Sequence, residues 1–270
     1  IEGTASEKIA IGAPQVDAKT VALWHMDETS GSGAYIKDST ANANHGTPTG
    51  TSTADGFYSK ARSMNGTSSD YITVSGSASE TEFDFGTGDF TVETWFKLNA
   101  LSNYVPIIGA WSNVANSGDW RIYVDSTGAV GFSIGAGGSE AAGKIKANQW
   151  HHVVGVRRSG TEYVYVDGVE SSSAANSNNG NTTTDIQIGK YYVTALHYLN
   201  GTIDEVKLSN TGRSADEIAE AYRSGANHRI SKSFGSAQDL SAKTKLPFYF
   251  ASDRPGTFAE ATIGETAYAN

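Results

Sequence analysis

Apolar residues along this chain come in short runs separated by long polar stretches, a spacing that suits strands and turns better than helices. "TVALWHM" (20–26) reads as a buried strand, and from there to Gly56 the chain is almost all Gly, Ser, Thr, Asn and Asp, a long loop region broken only by "AYI" (34–36). Further strands are expected at "YITV" (71–74), "FTVETWFKL" (90–98), "WRIYV" (120–124) and "AVGFSI" (129–134), the last two joined by the turn sequence "DSTG". "WHHVVGVRR" (150–158) and "EYVYVDGVE" (162–170) follow, linked by "SG" and carrying a second turn at "DG" (167–168); "DIQIGK" (185–190) and "GTIDEVKLS" (201–209) continue the series. In "FTVETWFKL" the period of two puts Phe90, Val92, Phe96 and Leu98 on one face and Trp95 on the other, so both faces of that strand are expected to be covered.

One segment carries a helical pattern. In "SADEIAEAYRSG" (214–225), Ser214 is an N-cap, Glu217 its capping-box partner, Ile218 and Tyr222 stack at i, i+4, and Gly225 supplies the stop. Beyond it the chain turns polar and mildly basic (227–245), then "LPFYFA" (246–251) and "GTFAEATIG" (256–264) read as two more strands around "SDRPG".

Composition narrows the function classes. The 270 residues suffice for one large β domain, and abundant Gly, Ser, Thr, Asn and Ala with few prolines match an all-β chain with many turns. A net charge of −9, with no basic cluster longer than Arg157–Arg158, excludes a nucleic-acid partner held through its phosphates. There is no cysteine, hence no disulfide and no thiolate metal site. No run approaches the ~18 apolar residues of a membrane span, so no membrane insertion is expected. The first residues, "IEGTASEKIAIG", lack the features of a signal peptide, and the chain reads as mature or as a piece of something longer. "EGTASE" (2–7) and "EATIGE" (260–265) share Glu, Thr and Glu at the same positions, which would make the chain one link of a tandem array.

Several blocks together resemble the concanavalin A-like, laminin G-type lectin/glucanase superfamily in its bacterial form. They are "VALWHMDETSG" with "DSTANANHG", "SKARSMNGTSSDYITV", "DFTVETWFKLN", "WHHVVGVRRSGTEYVYVDGVE" and "LNGTIDEVKLSNTGRSADEIAEAY", covering roughly residues 20–225 in order. The resemblance implies a jelly-roll sandwich of two antiparallel sheets, one concave, with a short C-terminal helix. It also implies a module that binds glycan or a surface protein, often with a structural calcium, in large extracellular or cell-surface chains. Residues 1–19 are then an N-terminal linker or strand, and 226–270 a linker and strand extension. Fold alone does not assign function.

The residues add their own constraints. Glycoside hydrolysis needs two carboxylates about 5–5.5 Å apart for retention or about 6.5–9.5 Å for inversion. The Glu-x-Asp-x-Glu stretch of the glucanase branch is absent; "FTVETW" holds only Glu93, and an ordinary strand would put Asp204 and Glu205 on opposite faces. The six histidines sit in unrelated blocks, with His151 and His152 read as structural, so a non-catalytic chain is expected.

"DSTANANHG" (38–46) begins like an EF-hand loop, but its sixth position is Ala43 and its twelfth Thr49. If the first and last strands of the resembled fold are neighbours, Asp38 and Asp204, with Asn44 or Asn42 amides and Asp27, could form a composite calcium site; alternatively Asp38 makes an Asx-turn, Asp27 caps a turn and Asp204 bonds backbone amides. A sugar site needs an exposed aromatic platform beside polar groups. Tyr191, Tyr192, His197 and Tyr198 in "KYYVTALHYLNG" are candidates, as are Tyr104, Trp111 and Trp120, though each could pack in the core or a loop. Three functions therefore compete: a calcium-stabilised adhesion module, a structural repeat that joins neighbouring copies through terminal strands, and a hydrolase lacking its carboxylates.

Overall fold

In a computed structural model of the chain, residues 13–67, 69–75, 81–111, 119–135, 139–141, 145–181, 184–191 and 197–233 are described. The strands expected at 246–251 and 256–264, and both Glu-x-Thr-x-x-Glu stretches, lie outside them. In chain order the elements are β1 (Thr20–Trp24), β2 (Gly46–Thr49), β3 (Ser52–Asp55), β4 (Lys60–Asn65), β5 (Tyr71–Val74), β6 (Phe90–Leu98), β7 (Val105–Ala110) and β8 (Trp120–Val124). They continue with β9 (Val130–Ile134), β10 (Ser139–Ala141), β11 (His151–Arg158), β12 (Thr161–Val166), β13 (Val169–Ala175), β14 (Ile186–Ile188), β15 (Asn200–Ser209) and α1 (Ala215–Ser233).

The strands form two antiparallel sheets. Sheet A runs β13-β12-β11-β6-β15-β4-β3, with β1 beside the second half of β15; sheet B runs β10-β9-β8-β7-β14-β5-β2. Period-two alternation turns Phe90, Val92, Phe96 and Leu98 of β6 toward Trp120, Ile122 and Phe132 of sheet B, all buried. Phe85 and Phe90 stack at 4.3 Å, and Phe90 meets Phe132 edge-on at 5.8 Å. Each such side chain contributes roughly 1.5–3 kcal/mol by leaving water.

Turn chemistry is as the dipeptides imply. Ser159-Gly160 and Asp167-Gly168 both take positive φ at both residues (51° and 73°; 52° and 79°), the geometry whose twist matches a tight hairpin. The polar stretch before Gly56 is not all loop, since it contributes edge strands β2 and β3. Edge strands need only one buried partner, so they carry no apolar alternation to read. β7 contains Pro106, which argues against a strand, yet a register shift between Pro106 and Ile108 accommodates it.

Trp95 points to the opposite face of sheet A, as its phase implies, into a second cluster with Phe57, Tyr58, Ala13, Trp150 and Tyr222. Helix α1 begins with the expected capping box, Ser214 N donating to Glu217 and Glu217 N to the Ser214 hydroxyl. It does not stop at Gly225. That residue is buried inside the helix, where a Cβ would lie 2.6 Å from Trp95 Cζ2 and 2.7 Å from Tyr58 Oη. The glycine is a notch for the Trp95 cluster, and the helix continues to Ser233.

A second correction concerns "IDEV". The β15–β6 register shifts between Asp204 and Lys207, and Glu205 takes φ +50°. The extra residue lets Ile203 and Val206 both face the core, so Asp204 and Glu205 share the outer face instead of opposing one another.

Candidate functional site

On β8, Trp120, Ile122 and Val124 face the core, which leaves Arg121 and Tyr123 on the outer face of sheet B. Tyr123 pairs with Gly131 on β9, and a Cβ there would sit 2.1 Å from the phenol ring, so only glycine lets that ring lie across the sheet. The turn before β7 brings in Tyr104, at φ +54° and 41% exposed. Lys190 and Tyr198 form an antiparallel bridge, and Tyr191 and His197 beside it lie over the same face.

These side chains form a closed circuit. Arg121 lies 5.3 Å from the Tyr123 ring, Tyr123 5.3 Å from Tyr104, Tyr104 6.3 Å from His197, His197 5.8 Å from Tyr191, and Tyr191 5.8 Å from Arg121. Trp111 stacks on the Arg121 guanidinium at 3.6 Å, and Lys190 sits 3.9 Å over Tyr71. Burial raises the Tyr191 pKa, keeping its hydroxyl protonated. Beside the circuit opens a pocket of about 350 Å³ whose lining includes Asn65, Ser102, Asn103, Tyr104, His197, Tyr198 and Asn200.

Tyr104, Trp111, Tyr191, His197 and Tyr198 therefore converge, although they come from two separate stretches of sequence. Tyr192 lies outside the described residues, and Trp120 belongs to the core. Arg121, Tyr123, Asn65, Asn103 and Asn200 are not among the residues expected from the sequence; the period of two in "WRIYV" carries the signal for the first pair.

Several of the groups expected to hold calcium are bonded within the chain. Asp38 Oδ1 accepts from Leu23 N (3.1 Å) and Thr40 N (2.9 Å), while Oδ2 accepts from the Thr40 hydroxyl (2.8 Å) and Asn44 N (3.0 Å). The Asn42 amide donates to the Val21 carbonyl at 2.9 Å. Asp27 Oδ1 accepts from Lys60 N at 2.7 Å, and Asp204 Oδ2 from Phe57 N at 2.7 Å and Tyr58 N at 3.1 Å. Among the described residues no three His, Asp or Glu side chains come together as metal ligands. Among the described residues these groups do not converge as metal ligands: β1 does pair β15 as expected, but Asp38 forms an Asx-turn with both oxygens taken, and Asp204 Oδ2 serves the Phe57 loop while its Oδ1 is buried without a hydrogen-bond partner.

The buried carboxylates cluster elsewhere, under Phe57 and Tyr58. Burial, together with the Glu205 charge, raises the Asp204 pKa well above the carboxylate range, and burial pushes Glu205 up to about 7 against the opposing pull of His25. His25 Nδ1 meets Glu205 Oε2 at 2.7 Å; burial pulls the His25 pKa down, but this bond and the negative charges of Glu205, Asp27 and Glu28 together outweigh it, and the net shift is upward. His151 is clamped between Asp167 at 2.8 Å and Lys146 N at 3.1 Å, and His152 packs 4.9 Å from Trp95. These groups support the turn and the Trp95 cluster.

A profile of the concanavalin A-like lectin/glucanases superfamily matches residues 65–219, more than half of the chain. The chain belongs to this superfamily. No curated protein matches it in sequence. Domain 4 of AbnA, an extracellular GH43 arabinanase from Geobacillus stearothermophilus solved with arabinotriose, is similar in fold, with 20% identity, a TM-score of 0.59, and coverage of 76% of this chain and 98% of that domain. The binding domain of Paraclostridial Mosquitocidal Protein 1 is similar at 14% identity and a TM-score of 0.61, covering 76% of this chain and 52% of that one. A Trypanosoma rangeli sialidase in complex with sialic acid matches at 17% identity and a TM-score of 0.60, over 82% of this chain and 36% of the sialidase. The chain thus spans about half of the toxin domain and about a third of the sialidase. At these identities the likeness is one of fold.

Proposed function

We propose that the chain is a non-catalytic carbohydrate-binding module of an extracellular, bacterial cell-surface or secreted protein, with its sugar site on the outer face of sheet B. Tyr104 is the stacking platform, and the amides of Asn65, Asn103 and Asn200 are the hydroxyl partners. The observation that carries the reading is the meeting of Tyr104, Tyr191 and His197 from distant segments beside a polar pocket of about 350 Å³, a size suited to one or two sugar rings rather than to a protein surface. The arabinanase domain solved with arabinotriose supports it by analogy, as do the toxin binding domains. The paired carboxylates of β15 are buried beneath Phe57 and Tyr58, away from this face, which favours binding over hydrolysis.

The test is a glycan array followed by titration calorimetry on the hits. Tyr104→Ala should abolish binding to a hit while leaving the melting temperature within about a degree, because the residue sits at the surface, outside the core. A wild-type chain that binds no glycan on the array, or a Tyr104→Ala variant that binds as wild type, would sink the assignment.

A further inference from the structure

Of the six arginines whose side chains are described, at positions 62, 121, 157, 158, 213 and 223, Arg121 is the one whose guanidinium meets no hydrogen-bond acceptor. Arg62 bonds Thr51 and the Glu28 carbonyl, Arg157 the Gly86 and Asn178 carbonyls, and Arg158 the Arg213 carbonyl. Arg213 pairs with Asp17 and Arg223 with Glu220. Arg121 instead has rings on its flanks: Trp111 at 3.6 Å, Tyr123 at 5.3 Å and Tyr191 at 5.8 Å. No carboxylate of the described residues lies within ion-pair distance of it.

Stacking engages the face of a guanidinium and leaves its N–H donors in the ring plane unspent. Arg121 Nε is buried with no hydrogen-bond partner, and the Tyr191 hydroxyl in the same circuit is likewise buried and unpartnered. Buried polar atoms in native structures are rarely left without a partner. Lys190, the neighbouring cation in the same cleft, also has no carboxylate partner and rests on Tyr71 at 3.9 Å. Two unneutralised cations on one face of a chain whose net charge is −9 mark a place kept for an anion.

Resting on the sugar-binding reading, we propose that the Arg121 end of the site receives the acid group of an acidic sugar, so that the module selects glycans carrying carboxylate or sulfate over neutral ones. The planar guanidinium, oriented by Trp111, offers two parallel N–H donors to the anion. Tyr104 and the asparagine amides then hold the sugar ring.

The experiment is calorimetric titration of the whole chain with galacturonic acid trimers, a sulfated galactose oligomer and neutral arabinotriose, at low and at physiological salt. An acidic probe should bind at least about tenfold tighter than the neutral one, and the advantage should shrink with salt. Preference for the galacturonate arm assigns the carboxylate, and preference for the other arm the sulfate. Arg121→Gln should reduce the acidic probe to the neutral level, and Arg121→Lys should keep part of the difference. Should Arg121→Gln fail to fold, the same selectivity is read on the wild-type chain as a larger melting shift with acidic than with neutral probe. Equal binding of acidic and neutral probes, or an Arg121→Gln variant that keeps the preference, overturns the inference while leaving the sugar site intact. Binding of no saccharide overturns both.

Discussion

Replacing Gly225 with alanine separates two opposing effects of known size. In an open helix the change should stabilise by about 1 kcal/mol, because glycine spends more backbone entropy than any other helical residue. Here the new methyl would come 2.6 Å from Trp95 Cζ2, 2.7 Å from Tyr58 Oη and 3.1 Å from Phe57 Cε1. Trp95 cannot swing aside, since it is stacked 3.6 Å from Phe57 on one side and 5.8 Å from Tyr222 on the other, with His152 4.9 Å away. Overpacking of this kind costs about 1–3 kcal/mol, more than the propensity gain in most of its range. The net effect is a destabilisation of about 1 kcal/mol, or roughly 2–4 °C in melting temperature for a domain of this size. Urea and thermal unfolding, followed by tryptophan fluorescence and by far-ultraviolet dichroism, give the number. A Gly225→Ala chain that melts higher than wild type would refute the notch and return Gly225 to an ordinary helical position.

Three further outcomes are expected. Glu205 and Glu162 are both pushed by burial up to about 7, above their ordinary value, so the native chain holds protons that the unfolded chain has already released. Stability contributed by these groups is present at low pH and is lost as pH rises toward 7; His25, also raised, adds the same sign, while buried His152, lowered, offsets one proton. The urea midpoint should therefore be higher at pH ~5.5 than at pH ~8, and the reverse order would contradict the burial argument. Asp204→Asn keeps an acceptor for Phe57 N and Tyr58 N and removes a buried charge, so it should raise the midpoint at pH ~8 and flatten the pH dependence; lost stability at both pH values would count against it. Asp38→Ala strips the acceptor from four loop donors and should cost about 2 kcal/mol or more, whereas a chelator should leave the wild-type midpoint unchanged. A fall of several degrees in chelator would restore calcium to this loop.

Much of the sandwich is legible in the sequence alone. Strands with a buried face announce themselves by their apolar residues, so β1, β5, β6, β8, β9, β11, β12, β14 and β15 are legible in the sequence, and the phase of Trp95 follows from counting by two. The edge strands β2 and β3 are not, because a strand buried on one side by little more than its neighbour has no apolar pattern to show. The helix start was legible in Ser214 and Glu217, since a cap is a local hydrogen-bond problem. Its end was misread because a glycine that ends a helix and one that makes room for a tryptophan look alike in one dimension.

The site divides in the same way. The sequence by itself determined the sandwich, its superfamily, the turn types and a list of aromatic candidates, because these follow from local periodicity and from residue types that admit few conformations. Only the tertiary structure decided that Tyr104, Tyr191 and His197 meet around Arg121, that Arg121 is left without an acceptor, and that Asp38 and Asp204 serve separate loops. Those are relations between residues dozens of positions apart, set by which strand lies beside which and by a single extra residue in β15, and no local pattern encodes them.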